Sequence, residues 1–165
     1  MTISIRNFRY GDMGPIVTAQ ARYYGDEHQW HGNMEQLLLE ITGNFLGQHI
    51  PGRSNCWVAD MPGEHGPTTV GSIFCVDAGD NIAQLRLLYI APAARGHGLG
   101  SRLIAECVAF ARAAGYRELM LWTHAVLLPA RRLYAAAGFI VTATAIHDEF
   151  GRPEPGETWT LDLAA

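Results

Sequence analysis

The chain has 165 residues, 48% of them hydrophobic, which suits one domain with a sizeable core, spanning residues 1–165. All twelve basic residues are arginine, which excludes a lysine-dependent P-loop or Schiff base, and a net charge of −4 without a basic stripe argues against nucleic acid as main partner. No stretch reaches the roughly 18 apolar residues of a membrane span and the opening MTISIRNFRYGDMG lacks a signal-peptide core, so a cytoplasmic protein without a membrane partner is expected.

The first strand is expected from Ile3 to Phe8, where ISIRNF alternates apolar and polar residues. Gly11-Asp12 offers a helix N-cap, and Ile16, Val17, Ala19, Ala21 and Tyr24 give a helix from Asp12 to about Tyr24. The acidic, aromatic stretch GDEHQWHGN then reads as a loop. Asn33 caps a second helix, whose apolar set is Leu37, Leu38, Ile41, Phe45 and Leu46, with Glu35 and Glu40 facing solvent.

NCWVAD, TVGSIFCVD and NIAQLRLLYI read as an antiparallel meander of three strands, the first two joined by the turn-rich MPGEHGPT. Beyond them come a helix from about Leu99 to Gly115, a strand in RELMLWT, a helix in PARRLYAAAG, and strands in FIVTATAIHDEF and ETWTLDL. The sum is an α/β (α+β) fold, a mixed sheet with helices on its faces and no internal repeat. Cys56, Cys75 and Cys107 are widely spaced without a CxxC and read as free, mostly buried thiols. Residues 1–80 hold nine acids against four arginines, and residues 81–165 seven against eight, a split suited to two ligands of opposite charge.

Three glycines, Gly96, Gly98 and Gly100, stand between the strand ending at Ile90 and the following helix. Free N–H groups at a helix N-terminus bind an anion without a side chain, and glycine lets phosphate approach the backbone. A pyrophosphate is the natural guest. The dinucleotide fingerprint GxGxxG fails in both frames, because its last position falls on Ser101 or Leu103.

The stretch RGHGLG resembles the R/Q-x-x-G-x-G/A signature of the GNAT acetyltransferases, with Arg95, Gly98 and Gly100 at the defining positions. AQLRLLYIAPAARGHGLGSRLI is similar to that family's fourth strand and third helix, and LYAAAGF to its fourth helix and sixth strand. ARAAGYRELMLWTHAVLLPARRLYAAAGF and the ETWTLDL ending resemble, more narrowly, the acetyltransferase half of proteins that carry a MarR-type DNA-binding domain in front.

The resemblance implies the GNAT fold, a mostly antiparallel twisted sheet whose parallel pair splays at the centre. It implies acetyl-CoA as co-substrate, its pyrophosphate at Arg95, Gly96, His97, Gly98, Leu99, Gly100 and Ser101, and its pantetheine along Leu88, Tyr89 and Ile90. It also implies Tyr134 as the acid that protonates the leaving thiolate, and the homodimers common in the family; His28 and His31 have no further ligands converging in sequence, so no metal is expected. Arg102, Arg131 and Arg132 are further phosphate candidates. The family's frequent asparagine six residues before the tyrosine is Leu128 here, and its frequent strand glutamate corresponds to Gln84, which is no base.

Proton removal from the amine therefore falls to His124, Glu27, His147 or Glu149. Tyr23, Tyr24, Asp26, Glu27 and Trp30 combine acids with aromatic faces, which suits a cationic amine. Arg86 would hold a carboxylate if it faces the cleft, as an amino-acid-like acceptor requires. The resulting expectation is an N-acetyltransferase acting on a small primary amine. A non-catalytic acetyl-CoA sensor and a protein or peptide N-acetyltransferase are the alternatives.

Overall fold

The meander expected between residues 55 and 90 forms as β2 (Asn55–Met61), β3 (Thr68–Asp77) and β4 (Ile82–Ile90) in a computed structural model that describes residues 2–31 and 33–164. With β1 (Ser4–Asn7), β5 (Glu118–His124), β6 (Ile140–His147) and β7 (Glu154–Asp162) they build one sheet in the order β1-β2-β3-β4-β5-β7-β6. Every neighbouring pair is antiparallel except β4 and β5. The helices are α1 (Met13–His28), α2 (Met34–Gln48), α3 (Leu99–Ala113) and α4 (Leu128–Ala136).

Alternation along the strands divides the core between the two faces of the sheet. Trp57, Ala59, Ile73 and Cys75 pack with the α3 stripe Leu99, Leu103, Ile104, Cys107 and Ala111. Cys56, Val58 and Phe74 point the other way, against Ile16 of α1 and Phe45 of α2. All three cysteines are buried and unbridged.

Three elements depart from the sequence expectation. The helix expected to end near Tyr24 continues to His28 and closes on Gln29, whose backbone is left-handed (φ 58°) and whose N–H donates to the Tyr24 carbonyl. Packing overrides the low helix propensity of Gly25 here, since Tyr24 and His28, one turn apart, both meet the Trp30 ring at 5.4 and 4.7 Å. Leu46 of α2, assigned to the apolar face, is 52% exposed, and burial falls to Leu38, Ile41 and Phe45. The β6 edge strand is also more open than its apolar sequence suggests, with Ile140, Val141 and Ile146 at the surface.

The feature that organises the molecule lies in β4. Parallel pairing with β5 covers only Ile82–Glu118, Ala83–Leu119 and Gln84–Met120. On its other edge β4 pairs Arg86 with Phe74 and Tyr89 with Ser72, so two residues, Leu87 and Leu88, oppose the single Ile73. Leu87 takes a left-handed backbone (φ 51°) to accommodate the extra residue. This bulge turns the end of β4 away from β5 and opens a wedge between them. Such a conformation is costly for a branched side chain and marks the position as functionally constrained.

Candidate active site

A cavity of about 140 Å³ occupies the wedge. Its floor is Gln84 to Leu88 of β4 and Trp122 to His124 of β5, and α1, α2 and the residues around α4 close it with Gln20, Tyr24, Trp30 and Tyr134. The residues proposed for chemistry thus come from five separate segments to one place. Leu88, Tyr24, Trp30, Arg86, His124 and Tyr134 all line it.

On the α3 side, the turn after β4 has the form expected of an anion cradle. Gly96 and Gly98 adopt left-handed conformations (φ 80° and 72°), and a side chain on either would project into open space. Among the described residues no acceptor meets a backbone N–H from Gly96 to Ser101, and the first helical bond runs from the Arg102 N–H to the Gly98 carbonyl at 3.2 Å. The positive end of α3 and these amides together form an exposed site for negative charge. Gly100 serves a different purpose, because a Cβ there would lie 2.5 Å from Leu133 Cδ1 of α4.

The arginines around this turn divide by function. Arg95 folds back over the Tyr23 ring at 4.8 Å while its Nε donates to the Ile90 carbonyl at 3.2 Å. Arg102 donates to the Ile3 carbonyl, and Arg131 makes a two-pronged pair with Glu157 at 2.7 and 3.0 Å. Arg132 alone of the three phosphate candidates has no acceptor among the described residues.

Tyr134 is 5% exposed, and its hydroxyl makes no hydrogen bond among the described residues. Burial raises its pKa well above the ordinary phenol value, so it carries its proton in the resting protein. His124 is also 5% exposed, held 4.2 Å from the Trp30 ring and 4.7 Å from the Trp122 ring. Burial lowers its pKa to about 4, which keeps the imidazole neutral at pH 7, although Glu154 opposes the shift. Both ring nitrogens are buried without partners, and Nδ1 faces Glu154 Oε2 at 3.7 Å.

The other base candidates sit elsewhere. Glu27 and Asp26 are exposed on the last turn of α1 and do not line the cavity. Glu149 is exposed on the β6–β7 connection. His147 packs behind His124, its ring 4.5 Å from that of Trp122. Tyr89 is buried beside Tyr23 and Tyr24 rather than facing the cavity. Among the described residues no group of three metal-binding side chains converges.

Sequence reading overlooked Gln20, Trp122, Phe150 and Glu154. Gln20 had a legible signal: it falls on the buried stripe of α1 with Ile16, Val17 and Tyr24, where a polar side chain needs a reason. Trp122 had one too, two residues before His124 on the same strand, whereas Glu154 had none, since only the β5–β7 pairing brings His124 opposite Gly156.

A family model described as the acetyltransferase (GNAT) family matches residues 17–139. The chain belongs to that family. Mycothiol acetyltransferase of Thermobifida fusca is 39% identical over 106 residues, 63% of this chain and 29% of that protein. The chain spans about half the length, or less, of the curated relatives it matches. The fold is that of an N-acetyltransferase from Staphylococcus aureus, at TM-score 0.78 and 17% identity over 99% of both chains. A phosphinothricin acetyltransferase of Sinorhizobium meliloti, solved with acetyl-CoA, aligns at TM-score 0.70 and 20% identity over 98% of this chain and 89% of that one. No helix among the described residues is long and apolar enough to cross a membrane.

Proposed function

We propose that the protein is an acetyl-CoA-dependent N-acetyltransferase that acylates the primary amine of a small acceptor by direct attack within a ternary complex. The observation that carries this reading is that β4 carries both features: it lines the wedge beside Tyr134 and leads, past its C-terminal end, into the amides of Gly96 to Ser101, which have no acceptor among the described residues. The cradle fits a diphosphate, the unpaired edge of β4 from Leu85 to Ile90 fits an amide-bearing arm, and the wedge fits the acyl end.

Acetyl-CoA, when bound, supplies an activated thioester. Tyr134 donates its phenolic proton to the departing sulfur; desolvation in the shared cleft raises the proton affinity of the thiolate as it does that of the phenolate, so the transfer stays only modestly uphill. A main-chain amide near Leu88 is the donor this reading assigns to the developing oxyanion. His124 receives the proton that the amine sheds as its nitrogen bonds to the acyl carbon. A ring kept neutral is ready to accept that proton, and Glu154 favours the charged ring that results. Glu27, exposed and away from the cavity, has no part in this scheme.

Incubating the protein with acetyl-CoA and a panel of small primary amines tests the proposal. Acceptor-dependent release of free thiol with a matching acetylated product is expected. Coenzyme binding without acceptor-dependent release across the panel would favour a sensor instead.

A further inference from the structure

Among the described residues, the cavity has one charged side chain, Arg86, that no other residue answers. Arg86 lines the cavity from β4, is half-buried, and has no carboxylate or carbonyl partner among the described residues. An unpaired cation removed from water is unfavourable, and burial accordingly lowers the pKa of this guanidinium. The other arginines near the sheet interior are paired, Arg6 with Asp12 and Asp60, Arg53 with Asp77 and Arg131 with Glu157.

A second polar group shares the cavity. Gln20 is 1% exposed, and its amide nitrogen is buried without a partner. Because Gln20 lines the cavity, its unpartnered amide N–H groups are donors that a small ligand there can meet. On the far side of Arg86 lies a groove of about 190 Å³ between α2 and β3–β4, lined by Asn44, Gln48 and Ser54 and by the paired Arg53 and Asp77. Arg86, Gln84 and Ile41 line both spaces, which therefore adjoin at Arg86. The acids expected to draw a cation, Asp26 and Glu27, border neither.

Resting on the acetyl-transfer reading, we infer that the acceptor is an amino acid or a closely similar amino-carboxylate. Its carboxylate pairs with Arg86 and the Gln20 amide, its amine lies toward His124 and Tyr134, and the remainder extends into the polar groove. A guanidinium–carboxylate pair inside a cavity is directional and strong enough to discriminate acceptors that differ only in that group.

The test compares matched probes: the common amino acids and their N-acetyl derivatives, the corresponding carboxamides, and aminophosphonate analogues. Calorimetry with saturating coenzyme A measures binding, and thiol release from acetyl-CoA is followed separately. At least one carboxylate should bind on the order of tenfold or more tighter than its carboxamide, with the gap lost in Arg86→Gln and largely kept in Arg86→Lys. Binding of coenzyme A to Arg86→Gln should be unchanged, which confirms a folded variant.

No carboxylate preference, a preference that survives Arg86→Gln, or stronger selection of the phosphonates overturns the inference. The two readings fail separately. Carboxylate-selective, Arg86-dependent binding without thiol release leaves this subsite standing and removes the transferase; equal turnover of carboxylates and carboxamides does the reverse.

Discussion

His124 at the end of β5 lies with its ring centroid 4.2 Å from that of Trp30, which sits just past α1, so the loop after the first helix covers the proposed base. The Trp30 ring is 4% exposed and shields the imidazole from water. This contact joins the helical layer to the splayed strands and sets the protonation state of His124.

That protonation state makes a pH prediction with a definite sign. The pKa of His124 is about 4 in the folded chain and 6.5 when exposed, so between those values the unfolded chain binds the additional proton. Stability should decline as pH falls from 6.5 to 4, by about 3 kcal/mol in total from this residue. Urea unfolding of the protein and of His124→Gln at pH 7 and pH 4.5 measures it. The variant should lose less stability than the parent over that interval.

Turnover gives an independent check. Because His124 is already neutral, the pH profile of kcat/KM should rise through neutrality with the deprotonation of the amine, with no second break near 6.5. His124→Gln should lower kcat roughly 100-fold, in the range for loss of a general base. A break near 6.5 that vanishes in His124→Gln would show a histidine that still titrates at that pH.

Tyr134→Phe preserves the ring that packs at 6.0 and 6.1 Å from Phe139 and Trp159. It should lower kcat by roughly 100-fold with little change in coenzyme affinity or stability. Steady-state kinetics beside a coenzyme titration separates these effects, and unchanged kcat would remove the acid role.

Gly156 of β7 tests the architecture behind the site. A Cβ there would collide with the Trp122 indole and come within 2.7 Å of His147 Cδ2, so both rings lie against bare backbone. Gly156→Ala should push these rings out of place and cost on the order of 1–3 kcal/mol. A lower Tm together with reduced kcat is expected.

The order and type of the elements were legible because alternation in β2 to β4 and the helical stripes of α2 and α3 are periodic enough to reveal a buried face. The cradle was equally legible, since Gly96 and Gly98 meet a local backbone requirement that spacing alone exposes. The acceptor wall was not. Asp26 and Glu27 lie near Trp30 in sequence, but α1 continues as a helix through them and turns them to solvent while Tyr24 and Trp30 face inward. Glu154 reaches His124 through the pairing of β5 with β7, strands distant in the chain, which no local pattern encodes.

Hydrogen exchange at the backbone amides of Gly96 to Ser101, measured with and without acetyl-CoA, tests the central claim most directly. These amides have no acceptor among the described residues and should become strongly protected when the coenzyme is added, while Gly98→Val should bind it more weakly and lose that protection. Tight coenzyme binding with these amides exchanging at unchanged rates, or no binding at all, would contradict the account.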